Sequence, residues 1–168
     1  AWFGLLSNIT APDPRGKILY TTNGGSNFLV STLPVNASNV NTIEFKYDNS
    51  FGFATLDYYY NNYFKTTNGG NSWLQQSSPY GFGSATRVIS ISGTNVWYLS
   101  LHNLGPENRV FKSTNDGATW VPMVLPNLQF TIMHMDAVTT NNIVTAYAIG
   151  LDGQIIRLTD TASVIGIT

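Results

Sequence analysis

Few side chains in this 168-residue chain have the type and spacing to do chemistry. Tyr58-Tyr59-Tyr60 run directly into Asn61-Asn62, and flat rings carrying hydroxyls suit sugar stacking or recognition of a protein surface. Tyr80 and Phe82, in Pro79-Tyr80-Gly81-Phe82-Gly83, extend the same aromatic character. His102, Glu107 and Arg109 fall within one short stretch and could form a polar site. His134 and Asp136 stand two apart in Met133-His134-Met135-Asp136, where a strand would turn them toward a channel. Each group has a plainer alternative: a ring buried by strand alternation, a solvated loop, a histidine satisfied where it sits.

Glycoside hydrolysis needs two carboxyl groups flanking the scissile bond. Outside the repeated motif described below, the acids are Asp13, Glu44, Asp48, Asp57, Glu107, Asp136 and Asp152. None forms a recognisable pair, so no catalytic residue is assigned. Two histidines far apart make no metal-ligand spacing, and the absence of cysteine excludes disulfides, thiolate zinc and a cysteine nucleophile. No metal or cofactor is implied. A net charge of -1, from 8 basic and 9 acidic residues, leaves no electrostatic footprint for nucleic acid. No apolar run reaches the length of a membrane span, so membrane insertion is not expected.

The elements that must position these groups are set by a repeat. Thr21-Thr22-Asn23-Gly24-Gly25-Ser26-Asn27-Phe28, Thr66-Thr67-Asn68-Gly69-Gly70-Asn71-Ser72-Trp73 and Ser113-Thr114-Asn115-Asp116-Gly117-Ala118-Thr119-Trp120 are copies of one motif. A worn fourth copy follows at Leu158-Thr159-Asp160-Thr161-Ala162. The steps between Asn23, Asn68, Asn115 and Asp160 are 45, 47 and 45 residues, the period of a repeated supersecondary unit. A β-favouring run precedes each copy, a short strand follows, and two more apolar runs lie upstream, bounded by Asn, Asp, Gly and Ser. Helical periodicity of useful length is absent.

Each repeat therefore reads as four antiparallel strands, innermost to outer, with the motif turning the third strand into the outer one. Four such strands at this period describe a propeller blade. The turn chemistry is legible too. The leading hydroxyl and Asn23, Asn68 or Asn115 can bond backbone amides, while Gly25, Gly70 and Gly117 supply positive φ without steric cost. The closing Phe28, Trp73 and Trp120 are expected to bury against a neighbouring sheet.

These residues resemble the Asp-box (BNR) repeat, written Ser/Thr-x-Asp-x-Gly-x-Thr-Trp, with Asn115 in place of its Asp in the best copy. The first two copies look like the Thr-Thr-Asn-Gly-Gly variant of secreted bacterial repeat propellers. The resemblance covers essentially the whole chain and implies an all-β propeller. It does not choose an activity, because such propellers include sialidases, xyloglucan-cleaving hydrolases, sortilin-type receptors, photosystem assembly factors and adhesin-like surface proteins.

A single propeller domain over 1–168 is expected, with repeats at about 1–34, 35–79, 80–126 and 127–168. The first repeat lacks its innermost strand, so the ring reads as part of a larger propeller, completed by further blades of a longer chain or by a partner chain. The richer loops lie on the face opposite the motif turns, where binding is expected. The function expected is non-enzymatic: a ligand-binding or scaffold propeller of an exported or cell-surface protein, taking a protein or glycan. Low charge, 10% of residues, and polar surface drawn from Asn, Thr, Ser and Gln suit an extracytoplasmic setting. The alternative is a carbohydrate-active hydrolase with catalytic carboxylates partly outside this chain. Titration against a glycan array checks the tyrosine run: Tyr59→Ala and Tyr60→Ala should lose binding, and unchanged binding in both removes it as a site.

Overall fold

The computed structural model describes residues 1–4, 15–36, 39–56, 62–81, 83–102, 109–123, 131–150 and 153–161. Among them every regular element is a strand. β1 (Trp2–Gly4), β2 (Arg15–Tyr20) and β3 (Leu29–Asn36) form one sheet. A second contains β4 (Val40–Phe45), β5 (Gly52–Leu56), β6 (Asn62–Thr66) and β7 (Leu74–Ser77). The third holds β8 (Ser84–Ser90), β9 (Trp97–His102), β10 (Arg109–Ser113) and β11 (Val121–Pro122). The fourth holds β12 (Ile132–Thr140), β13 (Ile143–Gly150) and β14 (Ile155–Thr161). All pairings are antiparallel between strands consecutive in the chain. The first sheet does begin on a second strand, while the outer strand expected near 163–167 lies outside the described residues.

The inner strands β4, β8 and β12 lie beside one another in sequence order, and β1 packs against β4. Successive sheets thus stack face to face around an axis, the arrangement of a β-propeller. The second strands of the two inner sheets have no solvent face: β5 is buried along its length and β9 as far as Leu101. β13, at the end of the stack, alternates instead, with Val144, Ala146 and Ala148 buried and Ile143, Tyr147 and Ile149 exposed.

The turns joining third to outer strand share one hydrogen-bond network. In the second sheet the buried Thr66 hydroxyl accepts from the amides of Asn68 (3.3 Å) and Gly70 (2.9 Å) and donates to Asn68 Oδ1 (3.0 Å). Asn68 Oδ1 in turn accepts the Ser72 amide at 3.0 Å. Thr21 with Asn23, Gly25 and Asn27 repeats this geometry, as does Ser113 with Asn115, Gly117 and Thr119. One hydroxyl and one amide oxygen together satisfy three amides that the turn withholds from the sheet ladders.

The same turns join neighbouring sheets. Gly70 (φ 78°) lies against the Trp2 ring and Gly117 (φ 71°) against the Phe53 ring, so close that a Cβ at either would collide with it. The closing Trp73 is 7% exposed and donates its indole N–H to Ser31 Oγ (3.1 Å), which donates to the Gly70 carbonyl (2.6 Å). Trp120 donates to the Tyr63 hydroxyl at 2.9 Å. Lys46 bridges the second and third sheets through Asp116 (2.9 Å) and Asn95, and Trp97 donates to the same Asp116 carboxylate at 3.0 Å.

Two expectations need correction. Phe28 is 48% exposed rather than buried, because no described sheet precedes the first. The fourth copy is not a turn at Asp160: β14 continues through Thr161. Its leading position is Leu158, which has no hydroxyl to collect turn amides. Asp160 instead accepts from Tyr98 Oη (2.7 Å) and pairs with Lys112 (2.7 Å), tying the third sheet to the fourth. Burial pushes the Tyr98 phenol up, and the bond to Asp160 adds to the rise. For Asp160, desolvation pushes upward but the bonds from Lys112, Tyr98 and the Thr161 amide outweigh it, leaving the carboxyl below its ordinary 3.8.

Thr66→Val keeps the shape and removes the hydroxyl, stranding two amides. It should cost about 2 kcal/mol in denaturant unfolding, while Thr66→Ser should stay near wild type. Because the Asp160 pKa is depressed on folding, its stabilisation is fully present above the unfolded value near 3.8 and is lost as pH falls through the lower folded value. Melting curves of Asp160→Asn should therefore show weaker stability at neutral pH and a flatter loss of stability in acid.

Candidate functional site

A polar hollow runs along the inner strands. It begins where three ladders slip in equivalent places. The β4–β5 register shifts between Val40 and Thr42, β8–β9 between Ala85 and Arg87, and β12–β13 between Ile132 and His134. Asn41, Thr86 and Met133 are the extra residues. A bulge bends its strand and re-aims side chains, and three in register shape a mouth around the axis. They sit at the strand ends remote from the motif turns.

Asn41, Thr86, Arg87, Ile132 and Met133 line this mouth. It shares Asn41 and Arg87 with a larger groove of about 450 Å³ that reaches Glu44, Ser90, His134 and Asp136. Arg87 Nη1 donates to Thr42 Oγ1 (3.2 Å) and to the Thr86 carbonyl (2.9 Å), a carbonyl that also accepts from Thr55 Oγ1 (3.1 Å). These bonds fix the guanidinium beside the mouth. Asn41 Nδ2 donates to the Leu56 carbonyl at 3.1 Å. Further along the strands, one oxygen of Glu44 accepts both the Ser90 hydroxyl (2.6 Å) and the Ser90 amide (3.2 Å). Ladder pairing makes Asp136, opposite Tyr147, the counterpart of Glu44, opposite Phe53. His134 and Asp136 are both exposed. The groove thus offers a cation, two carboxylates and an imidazole along three strands. Among the described residues no cluster of His, Asp or Glu could hold a metal ion.

Of the residues singled out by sequence, Tyr58, Tyr59 and Tyr60 lie outside the described residues, as does the Arg109 side chain. Leu56 and Asn62, which flank 57–61, end β5 and begin β6 on the side of the mouth. His102 Nδ1 lies 2.7 Å from Thr131 Oγ1, a tie between the third and fourth sheets. Tyr80 is partly exposed, its ring centroid 6.5 Å from that of Phe111. The structure brings His134 and Asp136 together, as the strand reading expected, and adds Glu44 and Arg87. Sequence reasoning missed the three bulged positions; Asn41, Thr86 and Met133 share no residue type, so only ladder registers reveal them.

The fold and this axial groove define a β-propeller. No protein-family model and no curated protein sequence matches the chain. Solved propellers do. YCF48 from Cyanidioschyzon merolae superposes with a TM-score of 0.55 at 18% identity, covering 76% of this chain and 38% of that one. YCF48 bound to D1 peptide gives 0.58 at 15% identity, covering 96% of this chain and 57% of that one. At such identities the likeness establishes the fold. This chain spans less than two thirds of either neighbour.

Proposed function

We propose that this chain is a non-enzymatic binding propeller of the Asp-box type that holds an extended segment of a partner protein in its axial groove. The observation that carries the reading is the set of three in-register bulges at the groove mouth. They open the inner strands on the face opposite the motif turns, the face where the sequence places its richest loops. A peptide carries donors and acceptors along its whole length, and a groove lined alternately by Asn41, Arg87, Glu44, His134 and Asp136 answers both. The likeness to YCF48, solved with a peptide bound, supports the same reading. Tyr58, Tyr59, Tyr60, Tyr80 and Arg109 belong in this proposal as rim contacts, and His102 as a residue that positions the rim. An exported or cell-surface setting is part of the proposal, supported by low charge and polar uncharged composition. A glycan in place of the peptide is the finer variant that the tyrosine run supports.

The second reading is a carbohydrate-active hydrolase, favoured by Glu44 and Asp136 lining one groove. Ser90 weakens it, since both its donors already engage one Glu44 oxygen.

Selection from a display library of random linear peptides, followed by fluorescence anisotropy, tests the groove. Peptides should be enriched, and His134→Ala and Asp136→Ala should weaken them about fivefold to tenfold each. Failure to enrich any peptide, or binding indifferent to both substitutions, overturns the reading.

A further inference from the structure

Thr55, Thr86 and Ser100 carry hydroxyls that are buried inside the stack. At such depth a valine or alanine would pack as well and leave no polar group to satisfy. The three hydroxyls serve the bulge of β8 instead. Thr86 is the extra residue there, so its carbonyl falls out of step with the ladder to β9. That carbonyl accepts from Thr55 Oγ1 (3.1 Å) and Thr42 Oγ1 (3.4 Å), which are ladder partners in the preceding sheet. The Thr86 hydroxyl meets Ser100 Oγ at 2.8 Å.

Arg87 follows at once. Its Nη1 donates to the same carbonyl (2.9 Å) and to Thr42 Oγ1 (3.2 Å). The guanidinium therefore leans on a carbonyl whose direction is set from the preceding sheet. All of these bonds lie within the second and third sheets, each of which has a described neighbour on both sides. Arg87 forms one wall of the mouth, a cavity of about 70 Å³ lined also by Asn41, Thr86, Ile132 and Met133. That volume admits one side chain rather than a length of backbone. Ile132 and Met133 supply apolar wall and Arg87 supplies charge, so the guest that suits both has a short methylene stem and an anionic end.

We propose that the mouth receives an aspartate or glutamate side chain of the bound segment. Arg87 selects that side chain, and Thr55 is a positioning residue that acts through Arg87. The inference rests on the groove holding a peptide and adds which side chain the peptide must carry at the mouth. The pair is a charge-assisted one. Thr55 contributes by keeping the Thr86 carbonyl, and with it the guanidinium, from turning away.

Fluorescence anisotropy on the peptides selected from the random library reads both parts. The selected peptides should share an acidic position, and replacing that residue by its amide should weaken binding about tenfold. Arg87→Gln should cost as much against the acidic peptide and nothing against the amide peptide. Thr55→Val should weaken the acidic peptide about threefold to fivefold, and Thr55→Ser should restore it, since the hydroxyl returns. In an Arg87→Gln background, Thr55→Val should have no further effect, because the two residues act as one unit. Peptides that enrich and depend on Asp136 but share no acidic position would overturn the inference and leave the peptide reading standing. So would an Arg87→Gln loss that is equal for acid and amide. Additive losses in the double variant would overturn the role of Thr55. Failure to enrich any peptide would overturn both readings together.

Discussion

A single buried hydroxyl, at Thr21, Thr66 and Ser113, governs how this chain turns from the third strand of a blade into the outer one. Inside a stacked sheet, an amide without a partner costs as much as a lost hydrogen bond. The hydroxyl accepts two such amides and donates to the Asn carbonyl that takes a third. With those bonds made, the glycine two residues beyond the Asn can lie flat against a ring of the preceding blade. Leu158 shows the dependence from the other side. Without a hydroxyl at that place the strand runs on, and Asp160 turns to Tyr98 and Lys112 in the preceding blade.

Stacking then follows from area. A sheet with apolar residues on both faces has no stable exposure to water, so each blade needs two neighbours. Phe53 and Trp97 meet edge to face at 4.9 Å, and Trp2 stacks on Phe45 at 4.6 Å. These aromatic contacts cross junctions and carry much of the burial there. The same reasoning makes the ends of the described stack distinctive: Phe28 and Tyr147 are each 48% exposed, at places where Trp73 on the one hand and Phe53 and Tyr98 on the other are buried.

The groove arises as a by-product of closing inner strands around an axis. Bulges at Asn41, Thr86 and Met133 re-aim the side chains of those strands, and polar groups line the hollow beside them. Arg87 and Glu44 are held by threonine and serine partners from neighbouring blades, so their positions belong to the junctions as much as to their own strands.

The motif, its spacing and the strand runs around it were legible because each rests on local chemistry. A hydroxyl, an amide and a glycine at fixed offsets specify a turn wherever they occur. Their repetition at 45 to 47 residues specifies blades, and the missing inner strand of the first blade was visible in the count. Within the candidate site, His134 and Asp136 could be read as one group because they share a strand. Glu44 and Arg87 could not be joined to them, being separated by whole blades. Sequence alone thus determined the repeating unit, since that unit is held by bonds between near neighbours. Only the tertiary structure decided which faces are covered, where the ladders slip and which distant polar groups line one groove. Those depend on how blades crowd around a shared axis, and no local pattern encodes that crowding.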